Sequence, residues 1–397
     1  MVLQPQILLH LAGILGITAL FYFLIPGIGA FYIRSSWRKF RKLLADSALY
    51  PPLNYAALRE TEKSEDSPGR IYRFFGHLQA MQGDSEVWVS DGKVSVNAKL
   101  EHVHVYILSV GSSWNNSEFR EYPVQPPRRV LWEKISSLPE YTHMFISGKI
   151  EWEQKKGVFK DSVDIPLLVI IYEGEKKNVL IRAMWSGRQK NEYWNPFTPG
   201  SLALGSFSLF IYFYVLLGFP QLLLPALIAL SLSLIPVVPL LPPAVIFYYY
   251  YRTFWKRGRV LRAQRDLIRI PLIHFDKENS SLRDSSVLAT GEVYSMRRFD
   301  NLDQIFDMAD SDSLHLIQPA LPKQLMEKEY YLFSNEKLQR PRDPLAEIMV
   351  VPGKPFALVE ECEKRAMKYE LFGLSILAIG IVLTELILFI FFSYVLV

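Results

Sequence analysis

Residues 371–397 read LFGLSILAIGIVLTELILFIFFSYVLV, an apolar run with one charged member, Glu385. A helix of this length, rising about 1.5 Å per residue, crosses the roughly 30 Å hydrocarbon core of a bilayer. An ionised carboxylate at its centre costs about 2.5–3.5 kcal/mol on insertion scales. The segment therefore predicts a span whose glutamate points at a partner and not at lipid. Ser375, Ala378, Val382 and Glu385 fall roughly on one helix face, with Gly373, Gly380 and Thr384 on a neighbouring stripe. Small residues beside a polar one suit close helix packing with an interhelical hydrogen bond. Within the chain, Tyr212, Tyr214, Ser231 and Ser233 lie at a suitable depth to supply that bond, and His10 lies too near the end of its own segment. A partner subunit is the equal alternative.

Three further spans extend the pattern. Residues 7–33 form the first, with a kink expected at Pro26 and Gly27. This segment lacks a basic leader and a small-residue cleavage site, so it reads as an anchor and not as a removable signal. The apolar stretch 201–251 is long enough for two spans, 201–218 and 222–251, with the turn at Gly218-Phe219-Pro220-Gln221. The second of these contains Pro225, Pro236, Pro239, Pro242 and Pro243. It predicts a kinked helix, or a shorter one ending in an irregular stretch near Tyr248–Tyr251, tyrosines that suit an interfacial aromatic belt. Residues 371–397 are the fourth span.

Basic residues orient these spans. Arg34, Arg38, Lys39, Arg41 and Lys42 follow the first, Arg252, Lys256, Arg257, Arg259 and Arg262 follow the third, and Lys364, Arg365 and Lys368 precede the fourth. The opposite ends, 1–6 and 218–221, carry no charge. By the positive-inside rule the N-terminus lies outside and residues 34–200 and 252–370 lie in the cytoplasm. The fold class expected is thus an α+β membrane protein, four transmembrane helices with two β-rich cytoplasmic modules of small-barrel or sandwich type.

Both polar regions read as strands. Residues 86–90, 93–96, 102–108, 164–172 and 178–185 alternate or run in β-branched residues between Asp-Gly and Gly-Ser turns. Residues 60–69 are charged and breaker-rich, the composition of a linker. Trp37, Phe40 and Leu44 lie at helical spacing and suit a short helix resting on headgroups, with a plain positive-inside flank as the equal alternative. Phe74-Phe-Gly-His-Leu, Ile146-Ser-Gly-Lys-Ile and Ala289-Thr-Gly-Glu-Val share a pattern in which a glycine interrupts a strand, the mark of a bulge or barrel bend. With the alternation of strand-rich block and span, the pattern predicts two related modules.

The second region carries a resemblance. Ser286-Val-Leu-Ala-Thr-Gly-Glu-Val-Tyr, Ser313-Leu-His-Leu-Ile-Gln-Pro and Lys328-Glu-Tyr-Tyr-Leu-Phe-Ser precede a helix-like approach to a span, with Val351-Pro-Gly-Lys-Pro-Phe-Ala-Leu-Val a second version of the last motif. This order resembles the C-terminal half of the GIDE-type domain of membrane-anchored E3 ubiquitin ligases and their bacterial relatives. It implies only a layout, a β-rich module between membrane helices; the localisation expected is a bacterial inner (cell) membrane with the modules in the cytoplasm. The ligases carry a cysteine-rich RING after the last helix. Cys362 is the only cysteine here, so ligase activity is not implied.

Net charge is +4, from 44 basic and 40 acidic residues, which argues against a dedicated nucleic-acid binder. One cysteine allows no intrachain disulfide and no cysteine-rich zinc site. No phosphate loop, nucleophile elbow, zinc-protease motif or dinucleotide fingerprint is present, so no catalytic, cofactor or metal residue is assigned. His102 and His104 would share a strand face, and with His77 or Glu101 would approach a metal site, but without a recognisable third ligand. Arg188 and Lys190, in the aromatic segment before residue 200, and Arg38, Lys39, Lys256 and Arg257 suit lipid-headgroup contacts. Asn115-Asn116-Ser117 fits a glycosylation acceptor that the expected topology leaves unused. Membrane lipids and a protein partner or second copy are the partners implied. The leading expectation is a non-enzymatic multi-pass scaffold or adaptor. The rivals are an accessory subunit of a transporter or channel using Glu385, and a membrane-bound enzyme with an unrecognised site.

Overall fold

The computed structural model describes residues 5–63, 70–83, 85–108, 127–135, 137–153, 156–174, 176, 179–189, 192–276, 293–308, 314–317, 319, 321–322, 329–335 and 348–396. In chain order its elements are α1 (Pro5–Thr18), a π-helical stretch (Ala19–Leu24), α2 (Ile25–Ser47), α3 (Tyr55–Lys63), β1 (Arg70–Gln82), β2 (Glu86–Ser90), β3 (Ser95–Lys99), β4 (His104–Leu108), β5 (Arg128–Leu131), β6 (His143–Glu153), β7 (Lys156–Lys160), β8 (Leu168–Tyr172) and α4 (Val179–Gln189). They continue with α5 (Phe197–Leu217), α6 (Leu223–Ser233), α7 (Ala244–Leu272), β9 (Tyr294–Phe299), α8 (Leu302–Met308), β10 (Leu314–Leu316), β11 (Tyr330–Asn335), β12 (Ile348–Pro352) and α9 (Pro355–Leu396). The protein is α+β and divides into two compact units, residues 1–37, 191–259 and 364–397, and residues 38–190 and 260–363.

The first unit is helical. Three helical stretches, Pro5–Ser47, Phe197–Leu217 and Pro355–Val395, are long and apolar enough to cross a membrane. Ile14, Tyr22, Leu209, Phe213, Leu216, Leu222 and Ala226 pack inside the unit, whereas Leu9, Phe23, Phe31, Phe207, Phe210, Val382, Leu386 and Phe391 face outward.

Proline shapes the first helical stretch. Pro26 has no N–H and its ring would clash with the carbonyl four residues back. The chain widens into the π stretch just before it, where Ile25 N–H reaches back to the Leu20 carbonyl. In this register the donor due to Phe21 would be Pro26, which has none. The Ser201 hydroxyl donates to the Phe21 carbonyl instead. Asn195 Nδ2 donates to the Pro26 carbonyl at 3.1 Å. Gly205 admits the approach, since a Cβ there would lie 2.7 Å from Phe21 and Tyr22 side-chain atoms.

The expected span 222–251 is not one helix. Pro236 can give no N–H to Leu232 and crowds its carbonyl, so α6 stops at Ser233. Turns and a short 3₁₀ segment carry the chain to α7, which starts at Ala244. The Tyr248–Tyr251 run lies inside α7 and not in an irregular stretch. The Gly373, Gly380 and Thr384 stripe of α9 faces α7. A Cβ on Gly380 would stand 2.5 Å from Phe247 Cβ, and one on Gly373 3.4 Å from Phe254 Cβ.

The second unit contains two sheets. β1, β2, β3, β7 and β6 close a ring that is antiparallel at every step except β3 with β7. Phe74, Val87, Val89, Val96, Met144, Ile146, Ile150 and Phe159 fill it. β8, β4 and β5 extend the sheet from the first half of β6, where β8 pairs with residues 143–147 along the edge that β7 takes further on. The Asp-Gly turn behaves as its chemistry dictates: Gly92 has φ +88° and Asp91 Oδ1 accepts from the N–H groups of Lys93 and Val94 at 2.8 Å each. The smaller sheet has the order β10-β12-β11-β9, with α8 alongside. Its Leu332 and Val350 pack on Ile305.

Several sequence expectations are redistributed. The glycine patterns at Gly76 and Gly148 lie on β1 and β6, which pair with each other, so they mark neighbours in one barrel and not the starts of repeated modules. A Cβ on Gly76 would sit 2.7 Å from the Ser90 carbonyl oxygen. The third pattern, 289–293, lies mostly outside the described residues, as do the sequon and most of the 60–69 linker. Residues 178–185, expected as a strand, enter helix α4 at Val179. The short apolar run is ambiguous in period, and packing decides it, with Val179 and the successive residues Arg182, Ala183, Met184 and Trp185 all buried in the helix. Phe40 and Leu44 are fully buried, Phe40 against Tyr106 with ring centroids 4.1 Å apart, so this face packs on protein and not on headgroups.

Overpacking predicts a contrast between two glycines. Gly380→Ala should cost about 1–3 kcal/mol by driving Phe247 aside, while Gly16→Ala, with open space around it, should be neutral or stabilising by up to about 1 kcal/mol. Thermal unfolding of the detergent-solubilised chain measures both.

Candidate functional site

The helical unit brings its polar side chains together at the gap between α6 and α7. Ser231 stands in the last turn of α6, and its hydroxyl lies 2.7 Å from Glu385 Oε2 and 3.2 Å from the Glu385 backbone carbonyl. The preceding residue, Thr384, is buried, and its Oγ1 accepts the Ala244 N–H at 3.1 Å. That N–H opens α7 and has no partner within its own helix. Two consecutive residues of α9 therefore hold the two cut ends of the interrupted segment. Glu385 Oε1 is buried without a hydrogen-bond partner among the described residues.

The other residues expected near this depth take different roles. Tyr212 pairs with His10, its hydroxyl 2.8 Å from Nδ1. The Ser233 hydroxyl donates back to the Leu230 carbonyl, and Tyr214 faces outward. Ser375 and Val382, assigned by spacing to the face of Glu385, are exposed.

A second polar centre, in the β-rich unit, was not singled out by the sequence. Asp266 of α7 receives Arg188 of α4, whose Nε and Nη2 lie 2.6 and 2.5 Å from Oδ2. Arg265 Nη2 approaches Oδ1 at 2.7 Å, and Arg41 of α2 completes the set at 3.8 Å. Arg265 also pairs with Glu363 at 3.2 Å, and Arg41 donates to the Gly187 carbonyl at 3.3 Å. Burial alone would push the Asp266 carboxyl up; Arg188, Arg265 and Arg41 outweigh it and hold it below the ordinary carboxylate range. Burial draws the Arg188 guanidinium down against the pull of Asp266. One signal could have found this centre: between residues 252 and 272, Asp266 is the one acidic residue among seven basic ones.

Arg188, expected at the surface as a headgroup contact, is thus a buried ion-pair partner, 11% exposed. Lys190 lies outside the described residues. Arg38, Lys39, Lys256 and Arg257 are exposed. Arg259, by contrast, is buried over the Trp255 ring at 4.6 Å and against Glu192 at 3.4 Å. His102 and His104 do not share a strand face. His102 sits in a turn at φ 59° with Glu133 2.8 Å away, and β4 begins at His104. Among the described residues no group of three or more His, Cys, Asp or Glu could hold a metal ion.

No family model, curated protein or solved structure matches this chain.

Removing the Asp266 charge strands buried guanidiniums. Asp266→Asn should cost about 3–5 kcal/mol, the usual penalty for breaking a buried pair from one side. Because the folded carboxyl titrates below the unfolded one, its contribution is complete above about pH 4 and is lost as pH falls through the folded value. Denaturation across acid pH should show that loss in the wild type and a flatter acid limb in Asp266→Asn.

Proposed function

We propose that this chain is a polytopic membrane protein that presents a β-rich unit to protein partners as a scaffold or adaptor. The observation that carries the membrane reading is the inverted polarity of the helical unit. Large apolar side chains such as Leu9, Phe31, Phe207 and Phe391 face outward, while Ser201, Ser231 and Thr384 are buried within. Water would not tolerate so large an apolar exterior on a monomer, and lipid requires it. Three stretches are long enough to cross alone. The fourth crossing is composite: α6, at about 1.5 Å per residue, covers only about half the hydrocarbon core, and the gap and the start of α7 complete it.

The basic clusters set the orientation, with the β-rich unit in the cytoplasm of a bacterial cell and Arg38, Lys39, Lys256 and Arg257 at the headgroups. The GIDE-like order of motifs supports this layout and carries no ligase chemistry with it. A second reading, a transporter or channel subunit, draws on the interrupted α6–α7 segment facing a carboxyl group, an arrangement that discontinuous helices use around ions.

Two measurements test the proposal. Cys362 is fully buried, so a cysteine placed at exposed Asp300 gives a clean label. Asp300→Cys should react with an impermeant maleimide in inside-out vesicles and not in intact cells; labelling from outside would overturn the orientation. Mild extraction from native membranes with cross-linking should yield a stable assembly with cross-links from the β-rich unit. A chain that runs alone would remove the scaffold reading.

A further inference from the structure

We propose that Glu385, Ser231 and the C-terminal end of α6 form a binding site for one small monovalent positive charge, a sodium ion or an exchangeable proton, inside the helical bundle. The proposal rests on that bundle lying in a membrane.

Three observations carry it. The first is polarity. The C-terminal end of a helix carries the negative pole of its dipole and the N-terminal end the positive pole. Glu385 faces Ser231, in the last turn of α6. The positive end, at Ala244, is taken by the neutral hydroxyl of Thr384. A carboxylate placed for its own negative charge belongs at the other end. At the negative end the dipole disfavours a bare carboxylate and favours one that carries a proton or a cation.

The second is the proton count. Ser231 has one hydroxyl proton and stands within hydrogen-bond distance of two Glu385 oxygens, Oε2 and the backbone carbonyl. A proton on Oε2 settles both contacts: Oε2–H donates to Ser231 Oγ, and Ser231 O–H donates to the carbonyl. A cation seated between carboxyl and hydroxyl oxygens settles them as well.

The third is the unused oxygen. Glu385 Oε1 is buried and has no hydrogen-bond donor among the described residues. Among the described residues no lysine, arginine or histidine acts on this carboxyl, and the titratable group that faces it from another helical segment is Tyr22, whose hydroxyl is occupied by Ser206 at 3.0 Å. The protein thus supplies oxygen ligands (the Glu385 carboxyl and backbone carbonyl and the Ser231 hydroxyl) and, among the described residues, no cation of its own. Broken helices bind sodium ions and protons at their C-terminal ends.

The test uses the full chain, purified from alkali-washed membranes, so that failure of membrane retention is scored separately. Dicyclohexylcarbodiimide reports the protonated carboxyl: the O–H adds across one N=C bond, the proton going to nitrogen and the oxygen to carbon, and acyl transfer leaves a stable N-acylurea. Mass mapping follows the fraction labelled at Glu385. Labelling should fall several-fold from mildly acid to alkaline pH. If sodium chloride suppresses it several-fold relative to equal choline chloride, sodium is the occupant; dependence on pH alone makes the occupant a proton. The thermal midpoint should follow the same variable in the wild type and not in Glu385→Gln. If that variant does not fold, Ser231→Ala should keep the label, lose most of any sodium response, and move the pH at which labelling falls. Labelling and midpoint both indifferent to pH and sodium, a full midpoint response retained in Glu385→Gln, or a labelling response to pH and sodium unaltered in Ser231→Ala, would overturn the site.

Discussion

Every backbone polar group freed inside an apolar bundle needs a substitute partner, and this requirement organises the helical unit. A buried donor or acceptor left unmade costs about 1–3 kcal/mol, several times the typical difference in helix propensity between ordinary residues. Five prolines, Pro26, Pro236, Pro239, Pro242 and Pro243, interrupt the ladder of donors. The Ser201 hydroxyl replaces the donor missing at Phe21, the Asn195 amide serves the Pro26 carbonyl, and Thr384 accepts the N–H that opens α7. The Ser201 and Thr384 bonds each join two helical segments, and the Asn195 bond ties the residues before α5 to α2. The polar side chains inside the bundle thus specify which helices are neighbours, something apolar surfaces alone do poorly when lipid is equally apolar.

The β-rich unit obeys a different constraint. Its barrel closes on apolar residues, and its helices α2, α4 and α7 converge on the Asp266 carboxyl. A buried ion group of this kind adds little stability over well-packed apolar residues, because desolvation consumes most of the Coulombic gain. Its geometry is what it contributes. Arg188 gives two N–H groups to one carboxylate oxygen, which constrains how α4 is placed against α7, while the adjacent Arg265 holds the other oxygen.

The sequence made the local features legible and missed those created by distant contact. Glu385 stood out as the one charge in its segment, and the stripe of Gly373, Gly380 and Thr384 announced the face that packs on α7. Ser231 was one of four candidates for Glu385, and nothing local could separate it from Ser233, two residues on, which bonds to its own helix instead. The Asp-Gly turn and the strands β2 and β4 followed from turn chemistry and alternation. Residues 178–185 did not, because a short apolar run has no decisive period and its helix depends on packing. Phe40 and Leu44 read as a membrane-facing stripe for the same reason: apolar spacing records that a face is covered, not what covers it. Asp266 was hidden among basic residues that the positive-inside rule already explained.

The order of two residues on α9 ties these arguments together. Thr384 meets the positive end of one half-helix and Glu385 the negative end of the other. The reverse order would set a carboxylate against a helix N-terminus, an interaction of typically 0.3–1 kcal/mol and up to about 2 kcal/mol when partly buried. It would also leave a hydroxyl to close the C-terminal end, where a donor suffices. As packing glue for an anion, that reversed pair would be the better solution. The pair present forgoes this gain and places its one acid where negative potential is already highest. Such a placement fits a carboxyl that holds a proton or shares a cation with the Ser231 hydroxyl.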